Sequence, residues 1–219
     1  AQDYKRIFDG DKGPNTGGMG TYSPSLVFTP ELEKQIRETI LEPTLKGFQK
    51  DGLDFRGVLF IGLMISEDGP KVIEFNNRFG DPETQSVLPR LESDLLDIFV
   101  AVTENRLADV EIKWSDEKAV CVVAASGGYP GSYEKGKVIS GLDDVDDDVI
   151  VFHAGTAAKD ADDADSAGTV IVTSGGRVLG VTALGKTHEE ARAKAYDNIR
   201  RISFDGMQYR KDIGTINRR

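Results

Sequence analysis

The sequence predicts an α+β protein in which an antiparallel sheet with helices is followed by a small β-rich domain closed by one helix. Three observations carry that expectation. Two apolar runs, at 57–65 and 72–75, flank a short polar turn. Two stripes of helical spacing begin at Thr29 and Leu91. After about residue 108 the chain changes to short β-branched runs that end in a third helix, so 1–107 and 108–219 are expected to be separate domains.

Residues 1–29, rich in Gly, Asp, Pro and Thr, hold no sustained period and read as a long loop, ordered or disordered. Thr29 is suited to cap a helix with Pro30 at its first position, Glu31 and Glu33 in the first turn, and Leu32, Ile36, Ile40 and Leu41 on one face. Pro43 should kink or end that helix, because it lacks an N–H and its ring meets the preceding turn. Leu45 and Phe48 extend the pattern to Asp51-Gly52. The apolar runs on either side of Ser66-Glu67-Asp68-Gly69-Pro70 read as an antiparallel hairpin. Beyond a polar loop at 77–85, Leu91, Leu95, Ile98, Phe99 and Val102 predict a helix that ends near Asn105 and turns its apolar stripe to the core.

In the last part, residues 120–125, 149–152, 169–172 and 178–184 read as strands, the last two joined across Ser174-Gly175-Gly176. Thr187 with Glu190 forms a capping box for the closing helix, which carries Ala191, Ala195, Ile199 and Ile202 on its buried face.

The chain has 219 residues, 27 Lys and Arg against 37 Asp and Glu, and a formal charge of −10. That balance argues against a nucleic-acid binder, which needs a basic face to neutralise phosphates. No apolar stretch reaches the roughly 18 residues of a membrane span. The lone Cys121, inside an apolar run, reads as a small buried hydrophobe in a reducing compartment, so a cytoplasmic protein with small-molecule partners is expected. The polar opening without Met suggests that the chain begins inside a longer protein.

The strongest chemical signal is Glu74-Phe75-Asn76-Asn77-Arg78-Phe79-Gly80-Asp81-Pro82-Glu83-Thr84-Gln85. Strand alternation puts Glu74 and Asn76 on one face, where two hard oxygens suit Mg²⁺ shared with substrate phosphates. Arg78 adds a planar cation for a phosphate or carboxylate. A polar strand end running into a solvated turn explains the same residues. The segment Asp9 to Gly20 offers glycines that let backbone N–H groups approach an anion, with Lys12 as a point charge; a surface loop has the same composition.

Gly180, Gly185, Lys186 and Thr187 match the P-loop spacing, but Val181 to Leu184 read as continuing strand and Thr187 as an ordinary cap. The acidic runs Asp143, Asp144, Asp146, Asp147, Asp148 and Asp160, Asp162, Asp163, Asp165 lack the glycine and closing glutamate of a calcium loop and read as solvated. His153 reads as a satisfied, half-buried strand-end histidine, and His188 falls in the first turn of a helix.

Taken together, the segment Asp9 to Gly20, the hairpin, Glu74 to Gln85, the turn Gly127-Gly128-Tyr129-Pro130-Gly131, Arg177 to Gly185, and Tyr209-Arg210-Lys211-Asp212-Ile213-Gly214 resemble the phosphoribosylamine-glycine ligase family of the ATP-grasp superfamily. The resemblance covers the C-terminal half of that family. It implies the later part of an ATP-grasp catalytic domain at 1–107, a missing N-terminal half of the same polypeptide as partner, and inactivity of the isolated piece. It also implies joining of glycine to phosphoribosylamine with ATP as co-substrate, through glycyl phosphate, with no nucleic acid or membrane involved.

By position, the resemblance makes Glu74 and Asn76 ligands of Mg²⁺ or Mn²⁺. It makes Arg78 the group that steadies the phosphorylated carboxylate. Asp81 and Glu83 are expected to orient the glycine ammonium, and Lys12, Asn15, Thr16 and Gly17 to cover phosphoribosylamine. The strand at 57–65 lacks the acidic ligand that many ATP-grasp proteins carry there. A P-loop nucleotidase and a non-enzymatic binding module are the alternatives.

Overall fold

The computed structural model describes residues 1–160 and 169–215. These form two compact units that interleave along the chain. One comprises Ala1–Pro24, Asp81–Arg90 and the chain from Asp116 onward; the other comprises Ser25–Gly80 and Leu91–Ser115. Compactness therefore groups the residues differently from chain order, because the opening segment pairs with a strand about a hundred residues away.

That opening segment is a correction to the loop expected over 1–29. It holds four short strands, β1 (Gln2–Asp3), β2 (Arg6–Phe8), β3 (Lys12–Asn15) and β4 (Gly20–Ser23). No period announces them, because each is only two to four residues long. β2 and β3 form an irregular hairpin of their own, and β1 lies antiparallel to β4.

In the second unit, Thr29 caps α1 (Pro30–Ile36) as expected, its hydroxyl accepting from the Leu32 N–H. The interruption at Pro43 takes the form of a π-helical stretch, Arg37–Leu41, that leads into α2 (Glu42–Lys50). Pro43 then sits in the first turn of α2, where a missing N–H costs nothing. β5 (Phe60–Ser66) and β6 (Gly69–Asn76) form the expected antiparallel hairpin. Within the loop expected at 77–85, Thr84 already opens α3 (Thr84–Val87), a short helix that belongs to the first unit.

α4 (Leu95–Thr103) starts at Asp94, whose carboxylate accepts from the Leu96 N–H at 2.7 Å. Leu91 lies outside it, bridged to Trp114. The stripe does not face a core as expected. Ala101 is buried, but Leu95, Ile98 and Val102 are half-buried and Phe99 is exposed. The physical reason is the scarcity of packing in this unit, where Ile40 and Ala101 are the only buried apolar side chains among the described residues.

The late strands are β7 (Lys118–Ala125), β8 (Val149–His153), β9 (Thr156–Asp160), β10 (Thr169–Thr173) and β11 (Arg177–Gly185). The main sheet runs β1-β4-β7-β11-β8 and is antiparallel throughout. β10 and β11 are consecutive but do not pair; β10 pairs with β9, a strand hidden in sequence by its polar residues. α5 (His188–Ile199) covers one face of the sheet, with Ala191, Ala195 and Ile199 packed on Val120, Val122, Val178 and Val181. Its cap is as expected, Thr187 Oγ1 accepting from the Glu190 N–H, while the Glu190 carboxylate accepts from the Lys186 N–H.

Candidate functional site

The other face of the main sheet holds the segment Asp81–Arg90. Alternation along β7 and β11 turns Cys121 and Thr182 to this side, opposite the α5 core, and these residues are paired across the two strands. Two buried threonines then anchor the segment by its backbone. Thr21 Oγ1 donates to the Pro82 carbonyl and Thr182 Oγ1 to the Gln85 carbonyl, each at 2.9 Å. Asp81 and Glu83 are thus carried on a strap bonded at both ends to rigid strands. Cys121 is buried there, and burial pushes its thiol up to about 12, which keeps it an unreactive hydrophobe.

Asp81 is held further by Arg177 at the start of β11. Nη2 of Arg177 lies 3.1 Å from Asp81 Oδ2, while Nη1 donates to the carbonyls of both Asp81 and Gly17 at 3.0 Å. Gln85 Nε2 donates to the remaining carboxylate oxygen of Asp81 at 3.2 Å. One guanidinium therefore joins the expected glycine-binding residue to the expected Gly-rich loop. Gly18 makes that approach possible. At φ +118, a Cβ there would lie 2.4 Å from Pro82 Cδ and 2.6 Å from Asp3 Oδ1, so any side chain would force the segments apart.

Asp3 on β1 is nearly enclosed, with its Oδ2 2.6 Å from Lys5 Nζ. Burial pushes its carboxyl up to about 6, and the nearby Glu83 charge adds to the rise that Lys5 opposes. Thr16 Oγ1 donates to the Lys5 carbonyl, and the Gly17 N–H donates to Tyr129 Oη at 3.0 Å. Lys12 and Asn15 stand on the exposed strand β3.

The second unit holds the other group. Glu74 and Asn76 project from one face of β6, Glu74 opposite Gly62 and Asn76 opposite Phe60. The register shift between Gly62 and Leu63 leaves Ile73 as an extra residue. Glu74 lies over Gly62, where a Cβ would stand 3.0 Å from its Cγ. Asn76 Oδ1 accepts weakly from Arg78 Nη2 at 3.4 Å, and Arg78 Nη1 donates to the Phe79 carbonyl. Asn76 Nδ2 is buried without a hydrogen-bond partner among the described residues. That orphan is a donor and adds nothing to a cation site, but the Glu74 carboxylate and the weakly bonded Asn76 Oδ1 share one face of the strand, and two hard oxygens are the donor type a divalent cation takes.

Glu74, Asn76 and Arg78 accordingly cluster in one unit, and Gly17, Thr16, Asp81 and Glu83 in the other. Arg177, Tyr129 and Asp3 are additions that motif reading did not single out as site residues. Arg177 had one local signal, a lone cation between a Gly-Gly turn and an apolar strand.

The P-loop spacing and the two histidines have structural places of their own. The P-loop spacing falls in the unbroken strand β11, where Gly180 pairs with both Val123 and Phe152, leaving no loop to wrap a phosphate. Among the described residues no group of three or more His, Cys, Asp or Glu is placed to hold a metal. Asp162, Asp163 and Asp165 of the second acidic run lie outside the described residues. His153 is exposed, a correction to the half-buried position expected; it ends an outer strand and its Nδ1 lies 3.0 Å from Thr156 Oγ1. His188 is buried, with Nε2 2.9 Å from the Pro24 carbonyl and its ring edge-on to Tyr22. No helix among the described residues is long and apolar enough to cross a membrane.

Comparison with known proteins gives two matching family models. "Phosphoribosylglycinamide synthetase, ATP-grasp (A) domain" matches residues 1–84, and "Phosphoribosylglycinamide synthetase, C domain" matches residues 119–216. A phosphoribosylamine–glycine ligase of Caldanaerobacter subterraneus subsp. tengcongensis is 50% identical over 97% of this chain and 49% of its own length. One of Phenylobacterium zucineum is 54% identical over 98% of the chain and 49% of its own length. A chloroplastic phosphoribosylamine–glycine ligase of Arabidopsis thaliana is 52% identical over 98% and 40%. The chain thus spans about half the length of the curated relatives it matches. The crystal structure of the Thermotoga maritima phosphoribosylamine–glycine ligase superposes with a TM-score of 0.77 at 37% identity, over 96% of this chain and 50% of that one. A biotin carboxylase domain of a thermophilic 2-oxoglutarate carboxylase shares the fold at a TM-score of 0.57 and 15% identity, over 88% and 41%.

Proposed function

The chain belongs to the phosphoribosylglycinamide synthetase family, and from that premise we propose that it supplies part of the active site of an ATP-dependent ligase that joins glycine to phosphoribosylamine. The supporting observation is the β6 terminus, where Glu74, Asn76 and Arg78 gather two hard oxygens and a guanidinium on one short stretch. Glycine's carboxylate attacks the γ-phosphorus of ATP, ADP leaves, and glycyl phosphate forms. The amine of phosphoribosylamine then attacks the acyl carbon and expels phosphate, giving glycinamide ribonucleotide.

In this reading Glu74 and Asn76 hold Mg²⁺ or Mn²⁺, which when bound neutralises charge on the phosphate oxygens. Arg78 bonds the carboxylate under phosphorylation and the anion that develops on it, an electrostatic role that strengthens in a water-poor site. Asp81, fixed by Arg177 and Gln85, and Glu83 orient the glycine ammonium. Lys12, Asn15, Thr16 and Gly17 contact phosphoribosylamine. The Lys12 ammonium, on an exposed strand, suits its phosphate. Residues 1–107 then serve as the later part of the catalytic domain and 108–219 as the domain that completes the substrate side. We place the activity in the cytoplasm, in a soluble polypeptide whose preceding half supplies the rest of the nucleotide site.

The test is ADP release by the polypeptide as the cell makes it, with each of Mg²⁺, glycine and freshly generated phosphoribosylamine omitted in turn. Release should need all three. In Glu74→Gln it should fall by about 100-fold or more with the Mg²⁺ requirement shifted upward. Release that ignores glycine and phosphoribosylamine would reject the ligase and favour a nucleotidase or a binding module.

A further inference from the structure

The motif Tyr209 to Gly214 takes no part in the chemistry above, yet it contains the most buried cation of the described chain. Arg210 is 1% exposed. Nε and Nη2 of Arg210 bond the two oxygens of Asp212 at 2.7 Å each, a bidentate pair. Nη1 reaches away from that pair to the opening hairpin, donating to the Arg6 carbonyl at 3.0 Å and to Asp11 Oδ1 at 2.9 Å. The guanidinium also lies 4.9 Å from the ring centre of Tyr4. Asp212 accepts in turn from the Gly10 N–H at 2.8 Å, and the Lys211 N–H donates to Asp9 Oδ1 at 2.7 Å.

Every residue of the turn Asp9-Gly10-Asp11 is therefore bonded to the C-terminal motif. The turn needs that support. Gly10 and Asp11 both have positive φ, 68° and 55°, a region costly for a residue with a side chain. The strand that follows, β3, is exposed at all four positions, and a lone two-stranded hairpin has little stability of its own in water. A site built on such a hairpin must be held from outside to keep a productive geometry.

We propose that Arg210, with Asp212, is a positioning residue that locks the Asp9–Asp11 turn and thereby fixes Lys12 and Asn15 of β3 for phosphoribosylamine. The inference rests on the assignment of the Gly-rich segment to that substrate. Arg210 touches no reacting atom. The bonds farther along that segment, from Gly17 to Tyr129 and Arg177, do not involve Arg210, so its polar contacts to the segment act on the hairpin.

The experiment uses the full polypeptide and three variants: Arg210→Lys, which keeps the charge but not the fork, Asp212→Asn, and the milder Asp11→Asn at an exposed carboxylate. Arg210→Lys should raise KM for phosphoribosylamine about 10-fold, with kcat and the KM values for ATP and glycine within about two-fold of wild type. Asp11→Asn should shift the same constant in the same direction by less. Amide hydrogen exchange at Gly10 and Lys211 should quicken, while core amides of β7 and β11 stay protected. A loss of kcat alone, or a uniform loss in all constants with unfolding, would reduce Arg210 to a structural residue and overturn the proposal. Unchanged exchange at Gly10 in Asp212→Asn would show that no lock exists. Wild-type turnover without need of phosphoribosylamine would instead reject the substrate assignment and the positioning role with it, whatever the exchange pattern.

Discussion

Arg177 grips Asp81 twice, its Nη2 3.1 Å from the carboxylate and its Nη1 3.0 Å from the same residue's carbonyl, and it holds the Gly17 carbonyl with that second nitrogen. Side chain and backbone of Asp81 are thus fixed together. The cation is four-fifths buried, whereas the carboxylate is half exposed. Arg177→Ala should therefore cost about 1–2 kcal/mol, less than a fully buried pair. It should also release both the Asp81 strap and the turn at Gly17. Urea unfolding measures the first effect and amide exchange at Gly17 the second. A stability loss below a few tenths of a kcal/mol would show that the three bonds contribute nothing net.

Asp3 gives a pH dependence with a definite sign. Its folded carboxyl titrates at about 6 against an ordinary 3.8, because burial disfavours the charged form. The folded state therefore binds the proton more tightly than the unfolded state. The associated stability is complete below about pH 3.8 and is lost as pH rises through 6. Asp3→Asn carries no such titration, so the variant should gain on wild type between pH 4 and pH 7.5 by on the order of 1–3 kcal/mol. Paired urea melts at the two pH values test this, since every other carboxylate is common to both proteins. A difference independent of pH would contradict the burial of that charge.

Lys186 tests the rejected P-loop. Its backbone N–H is spent on the Glu190 carboxylate at the start of α5, and the four residues that a phosphate loop would need are paired strand. Lys186→Ala should leave ADP release within about two-fold of wild type. A P-loop lysine would lose turnover almost entirely.

How much of this was legible in the chain depends on whether local pattern or distant pairing decides each element. The β5–β6 hairpin, the strands read at 120–125 and 178–184, and the Thr29 and Thr187 caps are set by residues within a few positions of one another, and the structure has the caps as read and the strands within about three residues of the expected bounds. The opening strands are not. Gly20 to Ser23 form a strand because β7 offers a partner a hundred residues on, and no local period records that. β9 is hidden for a related reason, since Thr156–Asp160 is mostly exposed and gains its form from β10. The stripe of α4 misled, because helical spacing tells which face is apolar and not whether a core exists to receive it.

The candidate site divides along the same line. Glu74, Asn76 and Arg78 stand two residues apart on one strand end, so spacing alone groups them. Arg177 lies 96 residues from Asp81 and Tyr129 lies 112 from Gly17, and only the folded sheet brings either pair within hydrogen-bond reach. Cys121 is the converse case, where an apolar run on both sides of one thiol already predicts burial.

Activation of glycine by phosphorylation of its carboxylate is tested by isotope transfer. The full polypeptide is given glycine labelled with ¹⁸O in the carboxylate, together with ATP, Mg²⁺ and phosphoribosylamine, and the released inorganic phosphate is analysed by mass. One ¹⁸O per turnover should appear in the phosphate, because the oxygen that attacks the γ-phosphorus leaves with it when the amine displaces it. Phosphate released without label, at the same rate as ADP, would mean that water and not glycine receives the phosphoryl group, and the ligase assignment would fall.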